Sequence, residues 1–395
     1  MLFMALLYWN YALVLPAIYQ VRTGNYYWSS AAISDSLIER SSMVVLVSTV
    51  SMVFASSVNI GLGKRTSVHV PITKGHDVSA FLISLSVFIY AVALVAVFGW
   101  ESYFLPRELA ARAFSSRSGG SSILTAVAMT GPKAAAISAL AITLYMFSIG
   151  RRGSICIFAL FMAVLANFIV NFPLANARYF LVSVAFVVLG TIGLRVFRNR
   201  KNYIYILSPV LIYFAFPFLG QWNRGAGLQD GVAAMSISEY LSHGDMDGFQ
   251  SIMNAVFYTD LHGFSFGNQI SSSVLFFVPR SVWPGKSENS GSLAAESAGY
   301  GFLNISMPLP GEFFMDFGMI GVVVGMTVFG LIVKLGDVLF RRMDSRVYPG
   351  TVYATVFASF LPIIMRGPFL ATVQAACVAV FIIVTWRTTS RVRTH

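Results

Sequence analysis

The sequence predicts an all-α polytopic membrane protein: a bundle of about ten transmembrane helices carrying one large structured extracytoplasmic loop. Three observations carry this. The 395-residue chain is 56% hydrophobic and only 11% charged, against about 25% charged in a soluble domain, and its mean hydropathy is +0.72. Apolar runs near the ~20 residues needed to cross a bilayer recur along it. Between Gln221 and Gly311 that pattern lapses for roughly ninety residues, too long for a plain connection in a compact protein and not low in complexity.

The runs fall at about 1–20, 42–62, 79–99, 133–149, 154–172, 179–197, 203–221, 315–335, 350–366 and 368–386. The first opens MLFMALLYW, with neither a basic n-region nor a small-residue cleavage site, and reads as a retained span. Connections around Arg151 and Arg178 are so short that the spans flanking each must form hairpins. The chain thus divides into residues 1–220 with about seven spans, the loop 221–311, and residues 312–395 with about three spans and a short cytoplasmic tail. Cys156 and Cys377 both lie in apolar runs. They read as small buried hydrophobes and support neither a disulfide framework nor a zinc site.

The basic residues set the orientation. Lys64, Arg65, Lys74, Arg151, Arg152, Arg195, Arg198, Arg200, Lys201, Lys334, Arg341, Arg342, Arg346, Arg387, Arg391 and Arg393 fall together at one side, which is therefore cytosolic. The other basic residues lie outside with most acids, since only Asp77, Asp337 and Asp344 fall inside. A net charge of +11 then suits cytoplasmic lipid headgroups, and no soluble basic domain is present to bind nucleic acid.

Within the loop, Ser236 with Glu239 and Asp247 with Gln250 have capping-box spacing and predict two helices. The first ends at His243 and Gly244. The second carries Phe249, Ile252, Met253, Val256 and Phe257 as a stripe, which suits a helix lying on the bilayer or packed on the spans. The segment ISSSVLFFVP is too short to cross and delivers FFVPRSVWPGKS to the membrane surface. Gly285, Lys286 and Ser287 mimic the end of a phosphate-binding P-loop, but the leading glycine would have to replace Arg280. Trp283 beside Arg280 and Lys286 reads either as an interfacial anchor with snorkelling cations or as part of a site. Pro279 and Pro284 stiffen the turn and hold the cations in set directions, which suits a diphosphate headgroup.

Other outer-face cations point the same way. Arg178 sits in the tight hairpin NFPLANARYF, Arg366 in MRGPF and Arg224 in QWNRGAG. Arginine at membrane depth is costly and usually functional; backbone capping or an ion pair with an outer carboxylate is the alternative for each, and the stronger one for Arg224. Among the acids, Asp247 has a helix-capping duty and Asp245, in the same HGDMDGF segment, has none. Glu312 and Asp316 share a face at i, i+4 where a helix dipole also favours acids. Gly318, Gly321 and Gly325 below them suit close helix packing. His243 and His262 lie outside without metal-ligand spacing, so no metal or other cofactor is expected.

Four segments in order, NFPLANARYF, HGDMDGFQ, LFFVPRSVWPGKS and MPLPGEFFMDFGMIG, resemble the O-antigen (Wzy-type) polysaccharide polymerase family. The resemblance covers about the second half of the chain. Members commonly start in the cytosol, whereas the span count here starts outside. The resemblance implies a GT-C-like, metal-independent membrane glycosyltransferase. It would join polyprenyl-diphosphate-linked oligosaccharide repeat units into lipopolysaccharide O-antigen, capsule or exopolysaccharide, undecaprenyl diphosphate leaving. It implies the bacterial inner membrane, a site facing the periplasm, a donor and an acceptor both lipid-linked, and a chain-length regulator as a partner. Asp245, Arg280 and Glu312 are then the catalytic candidates, and Arg178, Arg224, His262, Trp283, Lys286 and Arg366 the substrate-binding ones. A lipid-linked-oligosaccharide flippase would carry ionisable residues deep in several spans, whereas here they collect at one face; a ligase that moves finished glycan remains open.

The topology is checked by cysteine labelling in a Cys-free background. A cysteine at Ser238 should react with a membrane-impermeant reagent in intact spheroplasts and one at Ser345 should not; the reverse pattern would invert the orientation.

Overall fold

A computed structural model describes residues 2–28, 33–59, 73–118, 126–196, 237–303, 305–342 and 350–392. Its regular elements are all helical, with no strand among the described residues. Six described helices are long and apolar enough to cross a membrane: Leu2–Thr23, Asp35–Ser57, Lys74–Phe98, Val127–Ser148, Leu309–Val338 and Phe369–Thr388. The chain is a helical, multi-pass membrane protein. Of the ten expected spans, three are shorter apolar helices, Ser154–Val170, Tyr179–Thr191 and Thr355–Arg366, and the one at 203–221 lies outside the described residues. Ser154–Val170 has 17 residues, or about 26 Å of helix against a ~30 Å hydrocarbon core.

The chain forms two units. The first comprises Met1–Gly61, Val232–Val338 and Leu361–Val373. At its centre the helix Gly248–His262 packs against Asp35–Ser57 and Ser290–Ser297. Every residue from Gly248 to Val256 is buried, so this is a post inside the unit and not a helix lying on a bilayer. The apolar stripe is real, but the polar residues between its members are buried too because each finds an internal partner. Gln250 donates to the Trp28 carbonyl and to the Tyr300 hydroxyl at 3.2 Å, and accepts from the Trp28 amide at 3.0 Å. Asn254 donates to Tyr300 at 3.1 Å.

The helix Leu309–Arg342 is interrupted at Phe317 (φ −135°, ψ 16°) and Gly318 (φ 61°, ψ −147°). Residues 309–316 turn back beside the remainder: a Cβ on Gly321 would run into the Phe313 carbonyl, and one on Gly325 into the Phe313 ring. The glycines therefore make room for their own chain, where the sequence suggested packing between separate helices.

The second unit comprises Leu62–Gly231, Leu339–Phe360 and Gln374–His395. Its helices Lys74–Phe98, Gly131–Ser148, Ser154–Val170 and Arg178–Val196 pack together. Alanines 134, 135, 136, 139 and 141 are buried and allow the close approach typical of membrane helices. Asn167 donates to the Ala136 carbonyl at 2.7 Å, and Asn176 ties the hairpin by donating to the carbonyls of Val170 and Phe172. Cys156 is buried, but Cys377 is exposed on its helix, contrary to expectation.

Arg151 binds Asp77 through two parallel bonds of 3.0 and 2.7 Å, and Arg117 binds Glu101 at 2.8 Å, both in the second unit. In the first, Arg40 binds Asp260 with bonds of 2.7 and 2.6 Å, and Arg366 binds Asp247 at 2.9 Å. Each pair joins residues that the basic-residue count assigns to the same side of the membrane.

A Cβ at Gly318 meets both a left-handed backbone and the Phe264 ring at 2.9 Å, whereas one at Gly285 meets only the Trp283 indole nitrogen at 3.9 Å. Gly318→Ala should therefore cost about 1–3 kcal/mol and lower the thermal midpoint of the solubilised protein, with Gly285→Ala close to wild type. Equal midpoints for both would contradict the kink assignment.

Candidate functional site

The site builds up from one turn. Arg366 closes the helix Gly350–Arg366, Pro368 prevents its continuation, and Phe369 opens the next helix, Phe369–Val392. Two buried carboxylates hold this turn. Asp247 Oδ1 accepts from Arg366 Nη2 at 2.9 Å and from the Ser306 hydroxyl at 2.7 Å; the paired side chains are only 14% and 6% exposed. Glu312 Oε1 accepts from the Phe369 amide at 2.7 Å and from the Ser290 hydroxyl at 2.6 Å. That amide belongs to the first turn of a helix, where no intrahelical acceptor exists.

These contacts revise two readings. Asp247 occupies the position before the helix Gly248–His262 but makes no side-chain cap; its backbone (φ −74°, ψ 1°) lacks the extended shape that aims a capping carboxylate at the first amides. The buried Arg366 charge takes the carboxylate instead. Glu312 does sit at a helix N-terminus, yet the orphan amide it satisfies belongs to a different helix. Among the described residues its Oε2 accepts nothing.

Asp316, fully buried, accepts from the Ser265 hydroxyl and from the amides of Gly267 (3.1 Å), Gln269 (3.0 Å) and Ile270 (2.9 Å). It thereby caps the helix Asn268–Val274, the element that carries the basic loop. Glu312 and Asp316 share a face, as their spacing predicts, but each holds a different piece of chain.

In the basic loop, Lys286 Nζ donates to the carbonyls of Leu275 (3.1 Å), Phe276 (2.7 Å) and Val278 (2.9 Å), just past the end of that helix. All three ammonium donors are engaged in folding the loop. Burial, with the Arg280 charge beside it, pulls Lys286 below the ordinary lysine range. Arg280 is exposed; it donates to the carbonyls of Lys286 (2.9 Å) and Ser287 (3.3 Å), and Glu288 lies at 3.9 Å. Two of its five N–H donors are thus engaged. Trp283 is half-buried, its amide bonded to the Pro279 carbonyl at 3.1 Å. Asn268 and Ser272 tie the loop back through Gly285 and Ser287.

His262 is exposed and bonds Ser297 at 3.3 Å. Arg178 opens a helix of the second unit and Asp245 lies in the 3₁₀ turn Gly244–Met246, their side chains outside the described residues. Arg224 also falls outside them. The sequence reading missed Ser290 and Ser306, and it missed an aromatic cluster in the first unit. There Trp28 lies 4.5 Å from both Tyr27 and Phe302, and Phe302 stacks on Tyr300 at 5.5 Å. A membrane-depth arginine demands a counter-carboxylate, and that demand was the one sequence signal pointing from Arg366 to the loop acids.

No family model, curated protein or solved structure matches the chain.

Asp316→Ala would strand three amides and a hydroxyl and release the loop. Limited trypsin digestion should then cut at Arg280 and Lys286 at least roughly tenfold faster than in wild type, because local opening sets the cleavage rate. An unchanged rate would mean that Asp316 does not hold the segment.

Proposed function

We propose that the chain is a membrane glycosyltransferase of the O-antigen polymerase type. In this reading it acts at the outer face of a bacterial inner membrane and joins polyprenyl-diphosphate-linked repeat units. One observation carries the reading: segments far apart in sequence, HGDMDGF, MPLPGE and MRGPF, meet around one buried turn where an arginine and two carboxylates are fixed in place. A transferase that expels a lipid diphosphate needs such fixed charges, because preorganised donors stabilise developing charge without reorganising.

In the proposed reaction a hydroxyl of the acceptor sugar attacks the anomeric carbon of the lipid-linked donor. The new glycosidic bond forms as the bond to the diphosphate breaks, and the lipid diphosphate leaves with the electron pair. Arg280, with three N–H donors not engaged by described residues, meets the leaving diphosphate; its planar fork suits phosphate oxygens. Glu312 takes the hydroxyl proton on Oε2 while Oε1 keeps its bonds to Ser290 and Phe369. Asp245 is the alternative acceptor. Arg366 positions the turn through Asp247. The cluster of Tyr27, Trp28, Tyr300 and Phe302, with Tyr27 and Phe302 exposed, offers faces on which sugar rings stack.

The test is polymerisation of purified lipid-linked repeat units by monodisperse variants. Glu312→Gln keeps an acceptor for Ser290 and Phe369 and should lower turnover by roughly 10²-fold or more. Arg280→Lys should also be damaging, since an ammonium keeps the charge and loses the fork. Full turnover by Glu312→Gln with loss in Asp245→Asn would move the proton to Asp245, and full turnover by all three would refute the reading. Gene deletion separates the classes: single repeats on the surface mark a polymerase, polymer stranded on its lipid a ligase, and absence of export a flippase.

A further inference from the structure

The fold-back at Gly318 has an aromatic neighbour that the candidate site does not use. Gly263–Gly267 turns sharply against it: the amides of Ser265 and Phe266 donate to the carbonyls of Met315 (2.9 Å) and Asp316 (3.0 Å), and the Asp316 carboxylate takes the amides of Gly267, Gln269 and Ile270. The two turns pack ring against backbone in both directions. A Cβ on Gly318 would lie 2.9 Å from the Phe264 ring, and one on Gly267 3.0 Å from the Phe317 ring.

At the tip stands Phe266. Its φ is 47°, and it is the one non-glycine residue of positive φ among the described residues. Its side chain is 79% exposed. A bulky residue in this region of the backbone map is strained and persists only where its surroundings over-determine it. A phenylalanine left in water adds a second cost to the first. Stability of the folded chain in water therefore gives no reason for the placement. Phe264, Phe317 and Ile320 are exposed beside it, and a contiguous apolar surface of this kind marks a partner.

The chain shows which partner. Ile320, Val324, Val328 and Ile332 follow one another at helical spacing on the membrane-crossing stretch Leu309–Val338 and are all exposed, so they form one face that such a helix turns to lipid. The aromatic patch continues this face at its end. From Phe317 to Lys334, the next charged residue along the chain, the helix runs about 25 Å against a ~30 Å hydrocarbon core. With Lys334 at one membrane boundary, the aromatic turn reaches the other.

We propose that Gly263–Gly267, with Phe317 and Ile320, is a wedge inserted into the bilayer: Phe264 and Phe266 enter the leaflet opposite Lys334, and lipid acyl chains cover them. By sequence the turn belongs to the extracytoplasmic loop, so that loop is pinned into the membrane and does not stand clear of it. The helix Asn268–Val274 directly follows the turn and leads into the basic loop, whose level at the membrane surface the wedge thereby sets. The inference stands independently of the transferase reading, because it concerns depth in the bilayer and no transfer step.

The test measures depth in the full-length protein. Phe266→Cys, Val328→Cys and Glu296→Cys are made singly in a Cys-free background, labelled with an environment-sensitive fluorophore and reconstituted into phosphatidylglycerol–phosphatidylcholine nanodiscs. The lipids carry a spin-label quencher either near the headgroup or at the tail end of the acyl chain. The label at Phe266 should be quenched at least about twofold more than that at exposed Glu296, and more by the shallow quencher than by the deep one, because interfacial apolar faces sit roughly 5–10 Å into the headgroup boundary. The label at Val328 should favour the deep quencher. Ile320→Cys replaces Phe266→Cys, with the same expected result, if the latter is not monodisperse. Quenching no greater than at Glu296 would overturn the proposal. Blue-shifted emission without lipid quenching would also overturn it, since a protein partner or a second copy of the chain would then cover the turn.

Discussion

A guanidinium taken out of water cannot shed its proton, so a carboxylate has to come to it. The first unit is arranged around that requirement at Arg366. Asp247 meets the charge and is thereby fixed at the head of Gly248–His262, the helix whose first turns are buried on every side. Ser306 satisfies the same carboxylate oxygen, which draws the strand of chain before Pro308 inward. Three residues beyond Arg366, the Phe369 amide requires an acceptor of its own, and Glu312 supplies it while binding Ser290. One turn later Asp316 caps the helix that leads into the basic loop. Charge compensation at a single turn thus sets the positions of four segments.

The bilayer makes part of this legible in sequence. It demands long apolar helices, so the six described helices long enough to cross a membrane could be read from composition. Of the loop helices, Ile237–Leu241 and Gly248–His262 were legible from their polar starts, whereas Asn268–Val274 and Ser290–Ser297 were not. What decides the site was not, because its contacts join residues 119 positions apart (Arg366 and Asp247) and 57 apart (Phe369 and Glu312). Asp247 and Gln250 fit a local capping pattern that tertiary pairing overrides. The lysine of FFVPRSVWPGKS was legible as a cation, but its acceptors are backbone carbonyls, which carry no signature in side-chain type. Gly318 was visible as a glycine, while the fold-back it permits depends on Phe313 being there to meet it.

In the proposed reaction, structural and chemical duties fall to neighbouring groups. Lys286 is committed to the carbonyls of its own loop, which leaves Arg280 as the loop's outward cation. Glu312 holds a helix start through one oxygen and keeps the other for a proton in the proposed reaction. This division explains how a segment as apolar as Phe276–Ser287 carries Arg280, Trp283 and Lys286 so close together: one cation builds the loop and the other faces outward.

The account rests on the coupling between Asp247 and Arg366, and a double-mutant cycle measures it. Asp247→Asn, Arg366→Met and the double variant are compared with wild type by denaturant unfolding of the solubilised protein. Each single change should cost about 3–5 kcal/mol by breaking the buried pair. The double variant should cost less than their sum by at least about 2 kcal/mol. Additive losses would mean that the pair does not organise the first unit, and the account would fail.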